Sequence, residues 1–288
     1  MAIKIYTPLR YPGGKSKLYE YVRELVILNN CSTYIEPYAG GAGVALRLLI
    51  NRDVDRIMIN DYDKSIYALW YSILNDSEKL IELIEKTDIS IDEWYNQKSI
   101  QETKQLTENL LELGFSTLFL NRVNRSGIIK AGVIGGKNQT GHYKMDCRFN
   151  KSDIIERIRL IASFKHKIKL YNLDAEVFIK KSISRTKDSL TFFDPPYYQK
   201  GPGLYTNFYS HEDHVNLSKT IKKHMDNKNW IITYDIHDEI KNIYDEYDYK
   251  KYYLNYSITN PSKGQEYMFF SKNIDKGDIV EFLELALK

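Results

Sequence analysis

Short apolar runs alternate with helical periodicity along most of the chain. Thr33-Tyr34-Ile35-Glu36 reads as a strand, and a glycine-rich turn follows from Pro37 to Gly43. Val44 to Ile50 (VALRLLI) then opens a buried helix, and Arg56-Ile57-Met58-Ile59 forms a second strand ending on Asn60-Asp61. Strand, turn, helix and strand in this order predict a Rossmann-like parallel sheet. The rhythm pauses over 77–88 and 92–120, where leucines recur at helical spacing, and Ser152 is the expected N-cap of a helix burying Ile154, Ile155, Ile158 and Ile161. It resumes with strands at 167–171, 189–193, 230–234 and 266–270. The pattern predicts one α/β domain, residues 1–75 and 165–288, interrupted by a mainly helical insertion at 76–164.

Composition narrows the classes. Of 288 residues, 43% are hydrophobic and 27% charged, which excludes disordered and collagen-like chains. Two cysteines, Cys31 and Cys147, are too few for a disulfide framework and lack metal-ligand spacing. No apolar run reaches signal-peptide or membrane-spanning length, so a soluble cytoplasmic protein without a membrane partner is expected. The net charge of +3 says little until it is located. Residues 121–151 hold seven basic residues against one acid, a net of +6 in 31 residues, and the rest of the chain therefore carries −3.

Three constellations suggest chemistry. Gly40-Gly41-Ala42-Gly43 lies between a strand and a helix, where small residues let a ligand approach the backbone and the helix N-terminus. Asp61 ends the next strand, where a carboxylate accepts hydrogen bonds from a ribose diol. These two features suit a dinucleotide or S-adenosylmethionine equally. Gly13-Gly14-Lys15-Ser16 mimics only the end of a phosphate loop, which disfavours a nucleotide triphosphatase.

Asp194-Pro195-Pro196-Tyr197 follows an apolar strand. Two prolines hold the chain stiff and extended there, leaving Asp194 and the Pro195 carbonyl at the carboxyl edge of the sheet. A carboxylate beside a fixed carbonyl accepts both hydrogens of an exocyclic amine, and Tyr197 offers an aromatic face to a base. In the basic segment, arginine and lysine neutralise phosphates, and arginine or asparagine pairs with base edges. The candidates for DNA contact are Arg122, Asn124, Arg125, Lys130, Lys137, Asn138, Lys144 and Arg148.

Together and in this order, Tyr11-Pro12-Gly13-Gly14-Lys15, Glu36-Pro37-Tyr38-Ala39-Gly40-Gly41-Ala42-Gly43, Asn60-Asp61 and Asp194-Pro195-Pro196-Tyr197 resemble the Dam-type, D12-class family of DNA adenine methyltransferases. The resemblance implies a Rossmann-like S-adenosylmethionine-dependent fold carrying a target-recognition insertion. It implies cofactor contacts from Tyr11, Lys15, Gly40, Gly41 and Gly43, with Asp61 on the ribose, Asp174 facing the adenine and Glu36 near the methionine end. Asp194 then lies between cofactor and target amine, and Tyr197 stacks on a flipped adenine. Direct in-line transfer needs neither a metal nor a cysteine nucleophile, and His211-x-x-His214, without further Cys or His ligands nearby, reads as a helix-start pair. Phe119-Leu120-Asn121-Arg122 resembles the family's opening signature, whereas Val123 to Ile128 departs from the GATC readers, so no recognition site is assigned. The alternatives are a methyltransferase acting on RNA or a protein amide, and a catalytically idle DNA-binding relative. The expected partners are duplex DNA and a cognate restriction endonuclease, with the enzyme itself a monomer.

Overall fold

A computed structural model describes residues 5–10, 15–199, 209–258 and 260–285. Tyr11 to Gly14 lie outside the described residues. The chain divides into two compact units, one comprising residues 1–14 and 61–172, the other 15–60 and 173–288.

Among the described residues, the second unit holds six strands: β1 (Thr33–Glu36), β2 (Arg56–Asn60), β4 (Ser189–Phe193), β5 (Asn229–Asp235), β6 (Tyr249–Ile258) and β7 (Asn260–Phe270). They run in the order β2-β1-β4-β5-β7-β6. The first four are parallel, while β7 lies antiparallel to both β5 and β6. All residues of β1 and β4 are buried, as expected of parallel strands covered on both faces, whose sequences read as nearly continuous apolar runs. The chain leaves β1 for β2 on one side and later places β4 on the other. This reversal is the topological switch point at which open α/β sheets bind ligands, beyond the carboxyl ends of the strands.

The helices of this unit include α1 (Tyr19–Leu28), α2 (Gly43–Ile50), α8 (Ala175–Lys181), α9 (His211–His224) and α10 (Asp238–Ile243). Helix α9 starts at His211 because Ser210 and Asp213 form a reciprocal capping box, so the two histidines do open a helix. The long β6–β7 hairpin escaped the sequence reading beyond its last five residues.

The first unit is mainly helical: α3 (Lys64–Asn75), α4 (Ser77–Lys86), α5 (Ile91–Glu102), α6 (Leu110–Val123) and α7 (Lys151–Ser163), with the short strand β3 (Ile168–Tyr171). The expected continuous helical stretch at 92–120 is broken at 103–109, and α6 begins afresh where Asn109 caps the Glu112 amide. Asn150, and not Ser152, caps α7: its side chain accepts from the Asp153 amide at 3.2 Å, while Ser152 lies inside the helix. The buried isoleucines of α7 are those its spacing indicated. Relative to the expected boundaries at 75/76 and 164/165, α3 and β3 group with the helical unit, as does the N-terminal segment. There, Arg10 exchanges two 2.8 Å hydrogen bonds with Asn121.

Candidate active site

The carboxyl edge of the sheet gathers its polar groups through backbone staples. Asn60, at the end of β2 and 1% exposed, donates to the carbonyls of Pro37 and Leu173 and accepts from the Leu173 amide at 2.9 Å. One buried amide thus pins the turn after β1 and the loop entering α8, with both its N–H groups and its oxygen engaged. The turn places Gly40 and Gly41 in buried positions, and α2 starts at Gly43. A Cβ at Gly43 would lie 2.3 Å from the Ser16 hydroxyl, so glycine is what lets the Lys15–Leu18 turn pack against the start of α2.

Glu36 projects from the end of β1, and its Oε1 accepts the Ala45 amide of α2 at 3.2 Å. Burial pushes its carboxyl up to about 8, with the Asp194 charge adding to the effect and the Ala45 hydrogen bond opposing it. Asp61 follows β2 and accepts the Asp63 amide at 2.9 Å. Asp174 caps α8, accepting from the amides of Glu176 and Val177 at 2.9 and 3.2 Å while remaining exposed.

Asp194 leaves β4 with its side chain 26% exposed. Its Oδ1 receives both the Lys15 ammonium at 2.8 Å and the Thr233 hydroxyl at 2.9 Å; Oδ2 takes part in neither contact. Burial raises its carboxyl above the ordinary range; Lys15 pulls it down and Glu266 pushes it further up. Pro195 is buried and Pro196 half-buried. Lys15 Nζ also donates to the Tyr197 hydroxyl at 2.9 Å and lies 5.0 Å from the centre of that ring. The Tyr197 ring is 4% exposed, and its hydroxyl donates to Glu266.

Two carboxylates here were not singled out from the sequence. Glu266 of β7 accepts the hydroxyls of Tyr197 and Tyr252, and its Oε1 is 3.6 Å from Lys15 Nζ. Asp235 ends β5, opposite Glu266 in the β5–β7 register, and accepts the amides of Tyr198 and Gln199 at 2.9 and 3.1 Å. It thereby fixes the chain just past Tyr197. The available signal was an acid beside an apolar strand, Glu266 before YMFF and Asp235 after IITY.

The basic segment of the helical unit divides into a frame and an exposed set. Asn124 is fully buried; its Oδ1 accepts the Trp94 indole at 2.7 Å, and its amide donates to the carbonyls of Ile128 and Ile129. Arg122 is 8% exposed and donates to the Arg148 carbonyl at 3.3 Å. Burial lowers its guanidinium to about 10, and Arg157 contributes to the drop. Gly127 adopts φ +76°, and a Cβ there would meet the Arg10 carbonyl at 2.2 Å. Arg125, Lys130, Lys137, Asn138, Lys144 and Arg148 are exposed.

The sequence profile of the D12 class N6 adenine-specific DNA methyltransferases matches residues 11–258. The chain belongs to this family. It methylates adenine in DNA, and its fold is the Rossmann-like methyltransferase fold of the sheet described above. Among relatives, it is 23% identical over 248 residues to the type II methyltransferase M.MjaIII of Methanocaldococcus jannaschii, covering 75% of this chain and 78% of that protein. It is 25% identical over 262 residues to the type II methyltransferase M.CviBI of Paramecium bursaria Chlorella virus NC1A, covering 86% and 90%. A solved rRNA methyltransferase, aviRa of Streptomyces viridochromogenes, aligns over 94% of this chain and 88% of its own at 10% identity. Its TM-score of 0.35 is too low to bear on fold or function. No helix among the described residues of the methyltransferase is long and apolar enough to cross a membrane.

Proposed function

We propose that Asp194 and the Pro195 carbonyl accept the two hydrogens of the adenine 6-amino group while a methyl group is delivered from S-adenosylmethionine. The donor set suits that cofactor: a glycine turn opening α2 at the switch point, the ribose-binding type of carboxylate at Asp61, and the exposed Asp174 for the adenine. Lys15, Glu36, Gly40, Gly41 and Gly43 complete the assigned contacts, together with Tyr11, which lies outside the described residues. The cofactor supplies a methyl group on a sulfonium, a strong electrophile with a neutral leaving group.

The protein's own task is the nucleophile. The lone pair of an exocyclic amine is delocalised into the purine ring, and two fixed acceptors favour the pyramidal nitrogen that can attack. Positive charge grows on that nitrogen as the new bond forms, and a preorganised carboxylate stabilises it there. The observation that carries this reading is the fixed Asp194: Lys15 and Thr233 both bind Oδ1, which leaves Oδ2 for the amine.

Catalysis on a paired base requires its extrusion from the duplex. Stacking of that base on Tyr197, 4% exposed, requires the ring to be uncovered. Residues 76–164 serve as the target-recognition insertion, with the exposed Arg125, Lys130, Lys137, Asn138, Lys144 and Arg148 contacting DNA. Arg122 and Asn124 act there as frame. The enzyme works as a cytoplasmic monomer beside a restriction endonuclease of the same specificity, a partner suggested by its type II relatives. Labelled methyl transfer to duplex DNA, RNA and protein, followed by nucleoside analysis, tests the assignment. N6-methyladenine from duplex DNA, lost in Asp194→Ala, is expected; an undiminished yield in that variant overturns the role of Asp194.

A further inference from the structure

Glu266 is a charged side chain in a strand that continues as Tyr-Met-Phe-Phe, and only 1% of it is exposed. A carboxylate in such a place is costly unless its oxygens are matched. Here Oε1 accepts the Tyr197 hydroxyl and Oε2 accepts that of Tyr252, its register partner on β6. Because β7 is antiparallel to β5, Glu266 sits opposite Asp235 and reaches the carboxyl edge from the strand that runs the other way. It therefore stands beside Lys15 and Tyr197 without belonging to either motif.

Charge explains what this arrangement can do. Lys15, 2.8 Å from Asp194, by itself neutralises the carboxylate that is to attract positive charge on the amine. Coulomb interactions between buried groups at such distances are several times stronger than in water. Glu266, 3.6 Å from the same ammonium, gives the trio two negative charges against one positive. Counted over these three side chains the charge is net negative, which matches a reaction that brings in a cationic methyl donor and builds positive charge on nitrogen.

We propose that Glu266 is a positioning residue for methyl transfer, which offsets the Lys15 ammonium so that Lys15, Asp194 and Glu266 together present a negative charge to the target amine and which holds the Tyr197 hydroxyl in place. The proposal rests on the reading of Asp194 given above. Among the described residues, Lys15, Glu266 and the Thr233 hydroxyl act on the Asp194 carboxyl, Tyr34, the Ala45 amide and Asp194 act on Glu36, and the carboxylates act in turn on Tyr34 and Tyr252.

Single-turnover methylation of duplex DNA by the full-length enzyme provides the test, with Asp194→Ala, Glu266→Gln and Glu266→Asp compared across pH. Glu266→Gln is expected to slow the chemical step by about 10- to 100-fold, while cofactor and DNA dissociation constants change by less than about threefold. Glu266→Asp retains the charge at a shorter reach, and its rate should fall between those of Glu266→Gln and the parent. Because Glu266 raises the carboxyl of Asp194, its removal should also move the acid limb of the rate profile to lower pH. A folded Glu266→Gln enzyme with the parental rate and acid limb overturns the proposal. So does a slow Glu266→Gln enzyme with an unmoved limb that is no worse than Glu266→Asp, since that pattern marks a structural role. If Glu266→Gln does not fold, Glu266→Asp decides alone: a parental rate overturns the proposal, and a rate reduced with dissociation constants preserved supports it. Retained activity in Asp194→Ala would instead remove the reading of Asp194 on which the proposal depends.

Discussion

The carboxyl edge of the sheet and the basic segment at 121–151 handle polar groups in opposite ways. At the sheet edge the functional groups bond to one another: the buried Lys15, Tyr197 and Glu266 and the half-buried Asp194 hold one another. In the basic segment the buried polar groups form a frame, and the charges assigned to DNA are exposed around it. A catalytic group must stay fixed while charge moves, so water is excluded and each partner is set in advance. A group that meets a phosphate gains by remaining solvated and mobile until DNA arrives, and much of its effect is counterion release. Burial therefore has a different meaning in the two regions.

The comparison is tested first by its most sensitive residue. Asp194→Ala should reduce single-turnover methylation by about 10²- to 10³-fold, the scale of removing a preorganised electrostatic group, while the circular dichroism melt stays near the parental curve. A large loss of stability would instead make Asp194 part of the fold. Next, Asn124→Ala strands the Trp94 indole and two carbonyls, and unmade buried hydrogen bonds should lower stability by about 2–4 kcal/mol. Chemical denaturation measures it, and an unchanged midpoint would return Asn124 to the DNA-contacting set. Arg125→Ala should do the reverse, leaving the midpoint alone while weakening DNA binding by about 1–2 kcal/mol or relaxing sequence preference. Equal affinity and an equal methylation pattern would remove it from the interface. The smallest effect is expected of Lys130→Ala, a few-fold loss with the slope of log K against log salt reduced by about one. A parental slope would show that Lys130 meets no phosphate.

Much of the fold could be read directly because parallel strands buried on both faces are apolar runs with few interruptions, as at Thr33–Glu36 and Ser189–Phe193. The β6–β7 hairpin was harder to read: strands such as KKYYLNYSI carry no helical or clean alternating pattern, and only the buried end of β7 stands out. The break at 103–109 and the Asn150 cap were missed for a local reason, since short polar residues serve equally as caps, turn residues or helix surface. In the candidate site, Asp194 was recognisable because two prolines follow it and stiffen the chain, and Lys15 through the resemblance of Tyr11-Pro12-Gly13-Gly14-Lys15 to the family motif. Glu266 and Asp235 were not, because nothing in their own segments indicates which strand they lie opposite.

The sequence by itself determined the alternating α/β order, the family, and the concentration of positive charge within 31 residues. These are properties of local pattern and of motifs read along one chain. Only the tertiary structure decided which asparagines and arginines of that segment are frame and which are exposed, because burial depends on residues over a hundred positions away, as with Arg10 and Asn121. It also decided that the ammonium of Lys15 stands between two carboxylates from different strands. Strand direction and register set that juxtaposition, and both arise from long-range pairing, with no signature in local sequence.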